Sequence, residues 1–99
     1  MDIIKTKDGG LFKIELAGRL DTTTAPEFEA VVNNEFDGVT EVVLDFANLE
    51  YVSSAGLRVL LAAQKKMNGV QGKMTVKNVN EEILEVFDIT GFSDILTIE

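Results

Sequence analysis

The sequence predicts an α/β domain of successive βα turns on a mainly parallel sheet, with an added strand at the N-terminus paired as a hairpin. Three observations lead there. Segments with period-two apolar alternation take turns with segments whose apolar residues recur every three to four positions, and that alternation implies parallel strands joined by right-handed crossovers. A Gly-Gly turn joins the first two strands directly. The 99 residues, 45% of them hydrophobic, suit one domain over 1–99 with one core, without repeat, low-complexity tract or linker.

The expected order is β-β-α-β-α-β-α-β. Ile3 to Lys7 reads as a short edge strand, turned by Asp8-Gly9-Gly10. Phe12, Ile14 and Leu16 then alternate with Lys13, Glu15 and Ala17, a half-buried strand that Gly18 should end. The first helix opens near Thr24, which has capping-box spacing to Glu27, and Pro26 suits the first turn because its missing N–H costs nothing there. Phe28, Val31, Val32 and Phe36 supply its core stripe, and Asp37-Gly38 stops it.

Val42-Val43-Leu44 and Phe46, broken only by Asp45, read as a central parallel strand covered on both faces. A connector, Ala47 to Val52, leads to a second helix beginning at Ser53 or Ser54. Leu57, Leu60, Leu61 and Met67 mark its buried side, and Asn68-Gly69 its end. Lys73 to Lys77 is the next strand, with Met74 and Val76 inward. Asn80 caps a third helix whose first turn places Glu81 and Glu82 at the positive end of the dipole. Ile83, Val86, Phe87 and Ile89 form its core face, Gly91 ends it, and Ile95 to Ile98 is the last strand.

Composition closes several functional classes. The chain has no His and no Cys, so neither a Ser-His-Asp or Cys-His centre nor a zinc site of the usual ligands can be built, and no EF-hand spacing is present. An enzyme is not expected. Seventeen acidic against nine basic residues give a formal net charge of −8, which argues against nucleic acid and against anionic membranes. The same charge keeps a small protein soluble and monomeric, or steers it toward a basic protein partner. No apolar run approaches the roughly 20 residues of a membrane span, and Met1 to Lys5 lacks a signal-peptide layout. A cytoplasmic location is expected, and no cofactor.

The segment Leu49 to Leu57 carries most of the functional signal. It runs from a central strand into a helix, at the carboxyl edge of the sheet where open α/β folds place their sites. A Ser in the first helical turn lies among unpaired N–H groups that favour an anion such as phosphate. Ser53 and Ser54 either merely cap the helix or mark such a site, and Gly56 leaves its backbone open to a ligand or partner. Ser53-Ser54-Ala55-Gly56 is neither a nucleophile elbow nor a phosphate-binding loop, and no dinucleotide fingerprint occurs. Asp21, in Gly18-Arg19-Leu20-Asp21, emerges beside Ser54 if the two parent strands are neighbours, as a turn residue or as part of a site. Arg58 and Lys65, about two turns apart, share one helix face that is either solvated or touches a partner.

Gly18-Arg19-Leu20-Asp21, Val43-Leu44-Asp45-Phe46, Tyr51-Val52-Ser53-Ser54-Ala55-Gly56-Leu57 and Thr90-Gly91-Phe92, in that order, resemble the STAS family, and within it the bacterial anti-sigma factor antagonists. The resemblance spans essentially the whole chain. It implies that the Ser two residues before the helix-opening Gly, here Ser54, is phosphorylated by an anti-sigma factor that is itself an ATP-dependent serine kinase. It further implies that the unphosphorylated protein binds the anti-sigma factor and frees the sigma factor, that phosphorylation breaks the complex, and that a phosphatase restores it. Because a helix N-terminus tolerates the added charge within the domain, the switch is expected to act without refolding the antagonist. Asp21, Ser53, Ser54, Ala55, Gly56 and Arg58 are the implied partner-binding residues. Two positions depart from the family pattern. Ser53 stands where Asp is common, which makes it a second candidate acceptor, and Ala55 stands where Ser or Thr is common. A scaffold subunit of a transporter or sensory assembly without phosphorylation, and a small-molecule or nucleotide sensor using the same sheet edge, are the competing expectations.

Overall fold

A computed structural model describes residues 1–99. The elements are β1 (Asp2–Asp8), β2 (Leu11–Leu20), α1 (Ala25–Glu35), β3 (Glu41–Val52), α2 (Ser54–Gly69), β4 (Lys73–Lys77), α3 (Glu81–Thr90) and β5 (Thr97–Ile98), with a 3-10 turn at Phe92–Asp94. The five strands lie in sequence order, β1 antiparallel to β2 and the others parallel. The expected class, element order and N-terminal hairpin are all present.

Laying each parallel strand beside the previous one, always in the same direction, has a consequence. Right-handed crossovers then put all three helices on one face of the sheet. The register shows which face. Phe12 and Ile14 of β2 stand beside Val42 and Leu44 of β3, which stand beside Met74 and Val76 of β4, and all six are fully buried. With Phe28, Val32, Leu60, Ala63, Ile83 and Phe87 from the helices they make one continuous core.

The opposite face carries Lys13, Val43, Asp45 and Lys77; Val43 and Asp45 are only half-buried and the lysines exposed. The central strand is therefore covered on one face, not both as its apolar run suggested. Asp45 is tolerated because it lies on the uncovered side. Its Oδ1 accepts from Asn78 Nδ2 (3.0 Å) and from the Ala47 N–H (2.9 Å). The Asn78 amide, then the Ala47 N–H and the charges of Lys13 and Lys77, hold its carboxyl below the ordinary aspartate value. Asn78 sits at φ 60°, a left-handed conformation that Asn adopts more readily than most residues.

Several local expectations are corrected. Gly18 does not end β2; at φ 100° it carries the strand on to Leu20 through a register shift. The expected connector after Phe46 is strand. Between Glu15↔Asp45 and Ala17↔Asn48, and again between Gly18↔Leu49 and Arg19↔Tyr51, β3 gains one residue on β2. These bulges move the buried positions from 42, 44 and 46 to 49 and 52, a spacing of three that a period-two pattern cannot reveal.

The capping box of Thr24 and Glu27 does not form, because Thr24 has helical backbone and its hydroxyl donates to Arg19 O (2.7 Å) instead. Asn68-Gly69 does end α2, but the left-handed residue that turns the chain is Gln71, not Gly69. Leu61 is half-buried. Ile89 is 77% exposed, since it falls off the stripe that buries Ile83 and Phe87. The last strand shrinks to Thr97–Ile98 because the N–H groups of Ile95 and Leu96 both donate back to Phe92 O, and only Thr97 and Ile98 pair with β4. Asn80 caps α3 as expected, its Oδ1 accepting from the Ile83 N–H at 2.8 Å.

Two outcomes are expected. Leu44→Ala, at the fully buried centre of the sheet, should cost about 2–5 kcal/mol by urea denaturation. A carboxyl whose folded pKa is depressed contributes stability that is present above its unfolded value, near 3.9, and lost as pH falls through the folded one. Asn78→Gly keeps the backbone conformation but removes the amide bond to Asp45. It should therefore lower the urea midpoint at pH 7 by more than at pH 2.

Candidate functional site

The ends of β2 and β3 fix the geometry. Leu20 pairs with Val52, and the Ser53 N–H donates to Leu20 O at 2.9 Å. The chain thus leaves both strands side by side, at Asp21 and at Ser53-Ser54, which brings these predicted residues to one sheet edge.

The two serines divide the work at the start of α2. Ser53 is the N-cap, with extended backbone (φ −89°, ψ 175°); its Oγ accepts from the Gly56 N–H (3.4 Å) and its carbonyl from the Leu57 N–H (2.9 Å). Ser54 is the first helical residue, exposed, and its hydroxyl makes no hydrogen bond within the chain. Capping and a free hydroxyl at the positive helix end are both present, on successive residues.

Gly56 is buried and faces inward. A Cβ there would lie 2.8 Å from Leu20 Cγ and 3.0 Å from Leu20 O. The close approach expected for a ligand is thus filled by the chain's own β2. Ala55 is half-buried. Arg58 is exposed one turn on, and with Thr22, Ala25, Pro26, Glu29, Ala55 and Val59 it lines a shallow groove of about 210 Å³ between α1 and α2. Lys65 is exposed farther along the helix.

Asp21 builds the turn into α1. Its Oδ1 accepts from the Thr23 N–H (2.9 Å), the Thr23 hydroxyl (2.7 Å) and the Thr24 N–H (3.2 Å). These bonds, the Thr23 hydroxyl foremost, hold its carboxyl below the ordinary value although partial burial opposes them. Its other oxygen lies 3.7 Å from Arg19 Nε. The Arg19 guanidinium in turn stacks over the Tyr51 ring, 4.3 Å from its centroid. The Arg19–Tyr51 stack was not anticipated, because the bulges in β3 hide that the two residues are cross-strand partners.

A second opening also went unseen. β4 pairs with β3 only as far as Asp45, so the outer edge of β3 beyond it borders a cleft of about 760 Å³ lined by Ala47, Asn48, Leu49, Glu50, Asn80, Glu81 and Glu82. Asn80 Nδ2 donates to Leu49 O across it (3.0 Å). Its three carboxylates repel anions, which weighs against a nucleotide sensor there.

No base is bonded to the Ser54 hydroxyl, and Asp21 is committed to its turn. The arrangement can present a hydroxyl to another protein's active site, but it does not activate that hydroxyl itself. No group of three or more acidic side chains is placed to hold a metal ion, and no helix is long and apolar enough to cross a membrane.

The STAS domain family model matches residues 2–99. The anti-sigma factor antagonist BtrV of Bordetella bronchiseptica is 35% identical over 99 residues, covering 99% of this chain and 85% of that protein. The anti-sigma-B factor antagonist of Staphylococcus epidermidis is 33% identical, covering 86% and 80%. The anti-sigma factor antagonist SpoIIAA has been solved unphosphorylated (TM-score 0.78, 21% identity, covering 99% and 87%) and, as a Bacillus cell fate determinant, phosphorylated (TM-score 0.79, 19% identity, covering 99% and 91%). At those identities the likeness is one of fold.

Gly56→Ala should destabilise the domain by about 1–3 kcal/mol by overpacking against Leu20, whereas Ser54→Ala should leave stability within about 0.5 kcal/mol. Parallel urea titrations check both, and a neutral Gly56→Ala would contradict the packing assigned to it.

Proposed function

The chain belongs to the STAS domain family, and on that premise we propose that it is an anti-sigma factor antagonist switched by reversible phosphorylation of Ser54. The observation that carries the reading is the division between the two serines. Ser54 Oγ is exposed and unbonded at the first position of α2, while Ser53 Oγ is engaged in capping. The relatives support the class: both relatives described above are named as antagonists of anti-sigma factors, not as enzymes, and SpoIIAA exists in phosphorylated and unphosphorylated forms.

In this reading the protein works in the cytoplasm. Unphosphorylated, it presents Ser54, Ala55, Arg58 and the neighbouring Asp21 turn to the anti-sigma factor, which then releases its sigma factor. The anti-sigma factor is also the kinase. Ser54 Oγ attacks the terminal phosphoryl group of the ATP it holds, the hydroxyl proton passes to a base of the kinase, and ADP leaves. The phosphoserine adds about −1.5 to −2 charges at the contact. The first turn of α2 accommodates that charge through its unpaired N–H groups, so the domain keeps its fold while the complex comes apart. A phosphatase hydrolyses the ester and returns the protein to its binding form.

The test is incubation with the cognate anti-sigma factor and ATP, followed by intact mass and site mapping. Wild type and Ser53→Ala should each gain one phosphate, and Ser54→Ala none. Phosphorylation of Ser54→Ala at the wild-type rate would move the acceptor elsewhere, and failure of wild type to gain phosphate would overturn the switch.

A further inference from the structure

Charge is sorted by helix in this protein. α1 carries Glu27, Glu29 and Glu35, and α3 carries Glu81, Glu82, Glu85 and Asp88, with no basic residue in either. α2 is the reverse: it holds Arg58, Lys65 and Lys66 and no acid at all, in a chain of net charge −8.

At 3.6 residues per turn, positions 58 and 65 fall within about 40° of position 54 around the helix. Ser54, Arg58 and Lys65 therefore form one exposed row, about 16 Å long at 1.5 Å per residue, with half-buried Leu61 between the two cations. Both cations are free. The chain's ion pairs are Lys5–Glu35 and Arg19–Asp21, and neither involves α2. Lys66 is different, because its Nζ donates to Val32 O at the negative end of α1 (3.1 Å) and so braces one helix against the other.

We infer that the row Ser54–Arg58–Leu61–Lys65 is a docking face for an acidic surface on the anti-sigma factor. The inference rests on the antagonist reading above and adds the partner's chemistry and the extent of the contact. The net charge of the chain suggests a basic partner, but the face that carries the switch has the opposite sign. Complementary charge along it steers association and fixes register, while Leu61 supplies an apolar centre between charged flanks.

The row also explains how one phosphate suffices. Adding about −1.5 to −2 charges at Ser54 to a row bearing two cations brings its sum close to zero. Attraction for an acidic partner is then lost without movement of the backbone.

The test measures binding of the cognate anti-sigma factor at low and high salt to wild type, to R58E/K65E and, as a control of equal charge change and opposite sign, to E82K/E85K on α3. Thermal melts of all three check folding. The row predicts that R58E/K65E binds at least about tenfold more weakly at low salt, with a flattened salt dependence, and that E82K/E85K is not weakened. If wild type binds and R58E/K65E matches it in affinity and salt dependence, the row is not the docking face, while the antagonist reading stands. If wild type does not bind at all, the antagonist reading fails and this inference with it. Self-association of wild type that R58E/K65E abolishes, without loss of anti-sigma factor binding, would assign the row to a second copy of the chain and overturn the proposal.

Discussion

The Ser53 N–H donates to Leu20 O, and three residues later Gly56 lies so close to Leu20 that a single added methyl group would collide with it. This pair of contacts ties the end of β2 to the start of α2. It sets where Asp21 leaves one strand, where Ser53 caps the helix, and which way Ser54 faces. A domain with one modest core has little stability to spare. Placing the exposed Ser54 hydroxyl on a junction that the core already holds makes its position a consequence of folding and needs no separate support.

The one-sided sheet follows a similar economy. Strands in sequence order with right-handed crossovers put every helix on one face, and the other face is finished with Lys13, Asp45, Lys77 and their neighbours. The helix side keeps one continuous apolar core and the carboxyl edge stays open. At that edge β2 and β3 deliver Asp21 and Ser54 together, and α2 extends away from them with its basic row. In the proposed switch the two serines separate two demands that conflict on a single residue, since a hydroxyl that caps a helix accepts a backbone N–H and one that receives a phosphoryl group must face the partner.

Much of this is legible in the sequence where one local rule dominates. Asn80 caps α3 and Gly91 closes it with a left-handed residue, as their types and positions foretell. The alternation of Phe12, Ile14 and Leu16 gives β2, and the Ser-Ser-Ala-Gly-Leu segment gives the start of α2. Where two rules compete, the local one misleads. Thr24 has capping-box spacing to Glu27, yet tertiary position offers its hydroxyl Arg19 O, and the Asp21 carboxylate takes the free N–H groups of Thr23 and Thr24. The two bulges in β3 break the period that would have marked Ala47 to Val52 as strand, and so conceal the pairing of Arg19 with Tyr51. Gly56 shows the limit most clearly, because its type announces a close approach while only the fold reveals that Leu20 is what approaches.

The central claim is that Ser54 changes charge on a junction that does not move. Backbone amide NMR spectra of the protein with and without phosphate on Ser54 test it most directly. Shift changes confined to Asp21 through Thr24 and Ser53 through Arg58, with the amides of Val42 through Phe46 unmoved, are the result this account predicts. Changes spread through the core strands would mean that phosphorylation refolds the domain, and would contradict it.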